Sequence, residues 1–200
     1  MTEIPADELQ TLTPFPPLSC VLEFGNKKNS TGTYRDWYLA NHALTYESID
    51  WNGKDGAHKL DCNYSIALSD ITYDVHEDGF DVVTNFGFSE HVSNQRTFWE
   101  NVHNLTKPGG LMVGVTPAPG HWPHHGILQP TQLFYETLAE ANGYFVEKIF
   151  CNDMRRRHTI CYRFRKTSDV SFQMPYRWEE LIIPTEAPTE KALQNSGIVR

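Results

Sequence analysis

The chain predicts an α/β domain, a doubly wound and mostly parallel sheet with a closing antiparallel strand. Three observations predict it. Short, almost continuous apolar runs at 20–24, 79–85 and 111–115 have the look of strands buried on both faces. Between them lie stretches whose apolar residues recur three and four apart, as in helices packed on a sheet. The last two apolar runs, 144–151 and 159–164, are joined only by a polar turn. A parallel pair needs a longer crossover, so these two strands pair antiparallel.

Taken in order, residues 1–18 are polar and carry Pro5, Pro14, Pro16 and Pro17, which disfavours regular structure and suggests an arm. The core begins at Ser19, and Gly25 ends the first strand. Tyr34, Trp37, Tyr38, Asn41 and Leu44 predict a helix over 34–44, followed by a strand over 45–49. Asn52-Gly53 and Asp55-Gly56 are turn dipeptides, with a short strand at 59–61. Phe98, Trp99, Val102 and Leu105 place a helix over 93–106 that Lys107-Pro108-Gly109-Gly110 stops. A long loop at 117–130, rich in His, Pro and Gly, precedes a helix over 130–141 capped by Asn142-Gly143. The domain then runs over 19–166, and 167–200 is a proline-punctuated tail, part of which docks through Phe172, Tyr176, Trp178, Leu181 and Ile182.

A chain of 200 residues with 40% hydrophobic and 21% charged residues suits one globular domain. No apolar run approaches the roughly 20 residues of a membrane span, and Glu3, Asp7 and Glu8 stand where an export signal carries positive charge. A formal net charge of −8 argues against a general nucleic-acid or anionic-membrane binder. The run Arg155-Arg156-Arg157 reads as a solvated hairpin turn. Cys20, Cys62, Cys151 and Cys161 have neither zinc-finger spacing nor a C-x-x-C pair, and a reducing, cytoplasmic setting is expected.

In an open parallel sheet, ligands bind beyond the carboxyl ends of the strands. Those ends carry Glu23 and Gly25, then Asp50 and Trp51, Asp61 and Cys62, and Asn85 and Phe86. Acidic residues at successive strand ends accept hydrogen bonds from a ribose diol, and glycine lets the backbone approach a ligand closely. The set is nucleoside-shaped.

With VLEFG, YESIDWNG, KLDC, FDVVTNFGFSEHV and LTKPGGLMVGVTP in this order, the chain resembles the class I S-adenosylmethionine-dependent methyltransferases over about 19–166. The resemblance implies a Rossmann-like fold and S-adenosyl-L-methionine as cofactor. It implies that Glu23 and Gly25 line the methionine and ribose side, that Asp50 holds the ribose hydroxyls and that Trp51 lies by the adenine. It further implies Asp61 and Cys62 near the adenine amino edge, with Asn85 and Phe86 beside the sulfonium. Lys27 stands where the family usually has a second glycine, and no G-x-G-x-x-G is present to seat a dinucleotide.

Methyl transfer needs chiefly proximity and orientation, with a base only where the acceptor must lose a proton. His91 and His121 are the candidate bases, because imidazole titrates near neutrality, and Glu90 is placed to orient a neighbouring ring. His121, His124 and His125 lie in a loop that reads as a substrate cover; no metal site is assigned, although these three with a carboxylate are the residues a metal would use. Asn85-Phe86-Gly87-Phe88 lacks both prolines of the amino-methylating nucleic-acid enzymes. The expected acceptor is therefore a small molecule, sugar or peptide group, neither nucleic acid nor a membrane component, and the tail is a candidate homo-oligomer contact. The second class of function is a non-catalytic binding or assembly module, motivated by Lys27.

Overall fold

The computed structural model describes residues 13–26, 28–29, 32–41, 43–71, 78–154 and 157–195. Residues 1–12 of the arm, Lys27, and Arg155 and Arg156 lie outside these described residues.

β1 (Ser19–Phe24) is buried at every position, as a strand covered on both faces should be. After the short pair β2 (Lys28–Asn29) and β3 (Gly32–Thr33), the chain enters α1 (Tyr34–Asn41) and β4 (Ala43–Asp50). β5 (His58–Lys59) extends the sheet beyond β4, and β6 (Phe80–Phe86) returns to the other side of β1. α2 (Gln95–Leu105) leads into β7 (Thr106–Pro117), then β8 (Leu128–Pro130), α3 (Gln132–Asn142), β9 (Phe145–Met154) and β10 (Arg157–Arg165). The seven-stranded order is β5-β4-β1-β6-β7-β10-β9. β5, β4, β1, β6 and β7 pair in parallel, while β10 pairs antiparallel with both neighbours. Strand order therefore reverses at β1 and β6, which opens a crevice at their carboxyl ends.

Strand alternation divides the core in two. Leu22 and Phe24 join Phe98, Trp99 and Leu105 of α2 and Phe134 and Leu138 of α3 on one face. Val21 joins Tyr34 and Tyr38 of α1, with Tyr46, Val82 and Phe86, on the other. α2 is capped by Asn94, which accepts a bond from Thr97 N at 3.2 Å; α3 is capped by Thr131 and closed by left-handed Gly143.

Two of the boundary differences from the sequence expectation trace to pairing with a distant segment. α1 stops at Asn41 and β4 starts at Ala43, because Ala43 and Thr45 pair with the consecutive residues Ser19 and Cys20. Leu44 is the extra residue of this bulge and is exposed, so its helical spacing is coincidental. Lys107-Pro108-Gly109-Gly110 belongs to β7 instead of preceding it: Gly109 N donates to Lys166 O at 2.8 Å and Lys166 N to Gly110 O at 3.0 Å. The tail docks on its own domain. β11 (Ile182–Pro184) pairs antiparallel with β8, inside the segment expected to be a loop, and the final described element is α4 (Glu190–Asn195).

A buried polar knot ties the tail to α2. Lys166 is 1% exposed, and its ammonium donates to His103 O at 3.0 Å, Thr106 O at 2.9 Å and Asp169 Oδ1 at 3.0 Å. The His103 ring lies 2.6 Å from Tyr144 Oη through Nδ1 and 2.8 Å from Val170 O through Nε2. This geometry assigns a neutral ring that donates from Nε2 and accepts at Nδ1. Burial, and then the Lys166 charge, hold the His103 pKa below the ordinary histidine value. The unfolded chain thus binds the proton more readily, so this contribution is complete above about pH 6.5 and is lost as pH falls below it. The melting temperature of wild type should drop between pH 7 and pH 5 more steeply than that of His103→Gln; equal slopes would remove His103 as the titrating group.

Candidate active site

Where β1 ends, Gly25 takes φ 86° and its N–H donates to Ile49 O at 2.7 Å, turning the chain over the end of β4. A cavity of about 700 Å³ opens there. Gly25, Asp50, Trp51, Asp61 and Cys62 lie along one side, and Gly87, Phe88 and His91 beyond β6 lie along the other. Lys191 of α4 reaches the same cavity.

The Asp50 carboxylate is fixed by backbone N–H groups, from Asn52 to Oδ1 at 3.0 Å and from Asn26 to Oδ2 at 3.4 Å. Asp61 Oδ1 accepts from Asn63 N at 2.9 Å and Asn63 Nδ2 at 2.8 Å. Between them the Trp51 indole is 51% exposed, an accessible flat apolar face. Burial, then the nearby Asp61 and Asp50 charges, push the Cys62 thiol well above the usual thiol range. Reactivity follows the thiolate. Iodoacetamide on folded protein should therefore alkylate exposed Cys151 and spare Cys62, read by peptide mass; rapid labelling of Cys62 would contradict the buried placement.

Three of the sequence-derived cofactor residues occupy other places. Glu23 points to the α1 face with Val21, where the Tyr46 hydroxyl donates to Oε2. Phe86 shares that face and packs against Tyr34 at 6.3 Å between ring centroids. Asn85 points the other way but is 1% exposed. Its Oδ1 accepts from Ser89 N at 3.0 Å and Phe88 N at 3.3 Å, while Nδ2 donates to Ser89 Oγ at 2.9 Å and Tyr162 Oη at 3.2 Å. None of the three lines the cavity. Position at a strand end was readable, but the alternation that buries Glu23 and Phe86 depends on which face α1 covers.

Asn85 instead clamps the 3-10 turn of Ser89–His91. That turn presents fully buried Glu90 beside His91 at the cavity wall. Glu90 Oε1 lies 3.8 Å from His91 Nε2 and 3.3 Å from His125 Nε2, and the two imidazoles meet edge-on with centroids 5.1 Å apart. The convergence of His125 on this turn was missed by sequence reasoning, which had paired Glu90 with its neighbour alone. Its one local signal is Gly126. Gly126 has φ 68°, and a Cβ there would stand 2.8 Å from both Glu90 Cγ and Glu90 O. Ile127 N then donates to Glu90 O at 2.8 Å.

His121 takes no part in this group. Its ring stacks on His158 with centroids 3.8 Å apart, outside the cavity. The rest of the loop is stitched down: Trp122 Nε1 donates to His158 O at 2.6 Å, Gln129 Nε2 to Trp122 O at 2.8 Å, and Thr185 N of the tail to Ile127 O at 2.9 Å. Among the described residues, no helix is long and apolar enough to cross a membrane.

The donor set fits a nucleoside carrying a charged tail: a fixed carboxylate, an indole face, a second carboxylate and a glycine turn surround a volume ordinary for a small-ligand site. Comparison with known proteins agrees. Residues 39–114 match a model of a methyltransferase domain. Over 57 residues the chain is 39% identical to a ubiquinone biosynthesis O-methyltransferase of Maricaulis maris; this covers 28% of the chain and 22% of that relative's length. A putative S-adenosylmethionine-dependent methyltransferase of Listeria monocytogenes superposes with TM-score 0.62 at 13% identity, covering 81% of this chain and 97% of that one. The N-methyltransferase NodS of Bradyrhizobium japonicum, in complex with S-adenosyl-L-homocysteine, superposes at 0.51 with 15% identity, covering 76% and 80%. Strand order, crevice and domain match agree: the chain has the Rossmann-like fold of these methyltransferases, and residues 39–114 within it are similar to a methyltransferase domain.

Proposed function

We propose that the protein transfers a methyl group from S-adenosylmethionine to a small-molecule acceptor that enters on the His91 side of the cavity. The observation that carries this reading is the cavity itself, with a backbone-fixed Asp50 carboxylate at one side and His91 at the other. Asp50 would accept hydrogen bonds from the ribose hydroxyls, Trp51 would lie along the adenine, and Asp61 and Cys62 would meet its amino edge. Gly25 would leave room for the link between ribose and methionine. When bound, the cofactor supplies a methyl carbon made electrophilic by its sulfonium.

The chain's own groups do the rest by holding and orienting, the main requirements of an in-line displacement. His91 stands where an acceptor proton would be received, and the buried Glu90 carboxylate would favour the imidazolium that results. The loop carrying His125 is held by Thr185 of the tail and would frame the acceptor side. The partial identity to an O-methyltransferase favours an oxygen acceptor.

The test supplies methyl-labelled S-adenosylmethionine to the protein with a cell extract divided by size. Label should enter the small-molecule fraction in acid-stable, non-protein products. Incorporation confined to protein or nucleic acid would overturn the acceptor class.

A further inference from the structure

We propose that Glu90, His91 and His125 form a site for one divalent transition-metal ion, open towards the acceptor side of the cavity. One ligand atom from each of the three residues lies within 4.8 Å of the others. Two imidazoles and one carboxylate suit Zn²⁺ and its neighbours, and three protein ligands leave a position open for another oxygen.

The separations suit an ion as well as the hydrogen bond between Glu90 Oε1 and His125 Nε2. A metal about 2.0–2.1 Å from each donor sets tetrahedral donor atoms about 3.3–3.4 Å apart. Here the carboxylate oxygen stands 3.3 Å from His125 Nε2 and 3.8 Å from His91 Nε2. Elsewhere in this protein a histidine and a glutamate that pair directly, His58 and Glu47, close to 2.7 Å. Glu90 is fully buried, where water does not compete with an ion for its carboxylate.

The frame is also built in advance, as a metal site requires. Asn85 holds the turn that carries two ligands, and Gly126 presses against Glu90 where any side chain would displace it. Thr185 Oγ1 donates to His125 O at 3.3 Å, so the tail fixes the third. His91 connects the group to the cavity. The ligand for the open position is an acceptor hydroxyl: bound to the ion, its oxygen gives its proton to solvent water near neutral pH, and His91 then serves as a ligand in place of the proton acceptor it would be without the ion. This last step rests on the methyltransferase reading, whereas ion binding does not.

The experiment is equilibrium dialysis of chelator-stripped protein against Zn²⁺, with Co²⁺ absorption as a second probe. Wild type should take up one ion per chain at micromolar concentration, with Co²⁺ bands of a four- or five-coordinate site. His125→Ala, on a partly exposed ring, and Glu90→Gln should each weaken uptake at least about tenfold. His121→Ala should leave it unchanged. S-adenosylhomocysteine binding, measured in parallel, should persist in His125→Ala, which reports a folded protein. Absence of stoichiometric Zn²⁺ and Co²⁺ uptake, or uptake unaffected by His125→Ala, overturns the site. Ion uptake without S-adenosylhomocysteine binding would sink the methyltransferase reading and leave the site standing.

Discussion

Asp50→Ala should weaken S-adenosylhomocysteine binding by about 10- to 100-fold in calorimetry, while the unliganded protein stays folded. The last residue of β4 delivers a carboxylate to the cavity at the point where strand order reverses. Two backbone N–H groups already hold that carboxylate, so it meets a vicinal diol without having to be ordered first. Hydrogen bonds to a charged acceptor contribute about 1.5–3 kcal/mol, and each 1.4 kcal/mol is about a factor of ten in affinity. Asp50→Asn keeps an acceptor oxygen but loses the charge, and should fall between wild type and Asp50→Ala. Unchanged affinity in Asp50→Ala would remove this residue from the ribose site.

Asn85→Ala should destabilise the fold by about 2–4 kcal/mol in urea unfolding. The side chain accepts from two N–H groups and donates to two hydroxyls, and Ser89, whose N–H it holds, is fully buried. Removing one partner orphans a buried donor at about 1–3 kcal/mol, and water has little access to repair the loss. Asn85→Asp keeps the acceptor for both N–H groups and loses the donor, so it should recover part of the stability. Because the clamped turn carries Glu90 and His91, the Ala variant should also lose more methyl-transfer activity than cofactor affinity. Wild-type stability in Asn85→Ala would show that the clamp is dispensable.

Much of the sheet was legible because its strands are nearly continuous apolar runs, a signal that burial on both faces enforces. The boundary errors at Leu44 and at Gly109-Gly110 arise where pairing with a distant strand, Ser19-Cys20 in one case and Lys166 in the other, decides what the backbone does. No local pattern encodes such a partner. The site divides in the same way. Gly25, Asp50, Trp51, Asp61, Cys62 and His91 reach the cavity because a strand's carboxyl end is readable from where its apolar run stops. Glu23 and Phe86 fall away from it by alternation, and Asn85 is occupied by its own turn. His125 joins Glu90 and His91 only because β8 and β11 pair and draw the loop inward, a contact spanning residues far apart in sequence.

Binding of S-adenosylmethionine in this cavity is decided by the melting temperature followed through a titration of S-adenosylhomocysteine. A ligand that binds only the folded state stabilises it by about 2.7 kcal/mol at one hundred times its dissociation constant. Wild type should show a saturating, concentration-dependent rise, with the Asp50→Ala curve displaced to higher ligand concentration. No rise at millimolar ligand would contradict the account and leave a methyltransferase fold serving as a binding or assembly module.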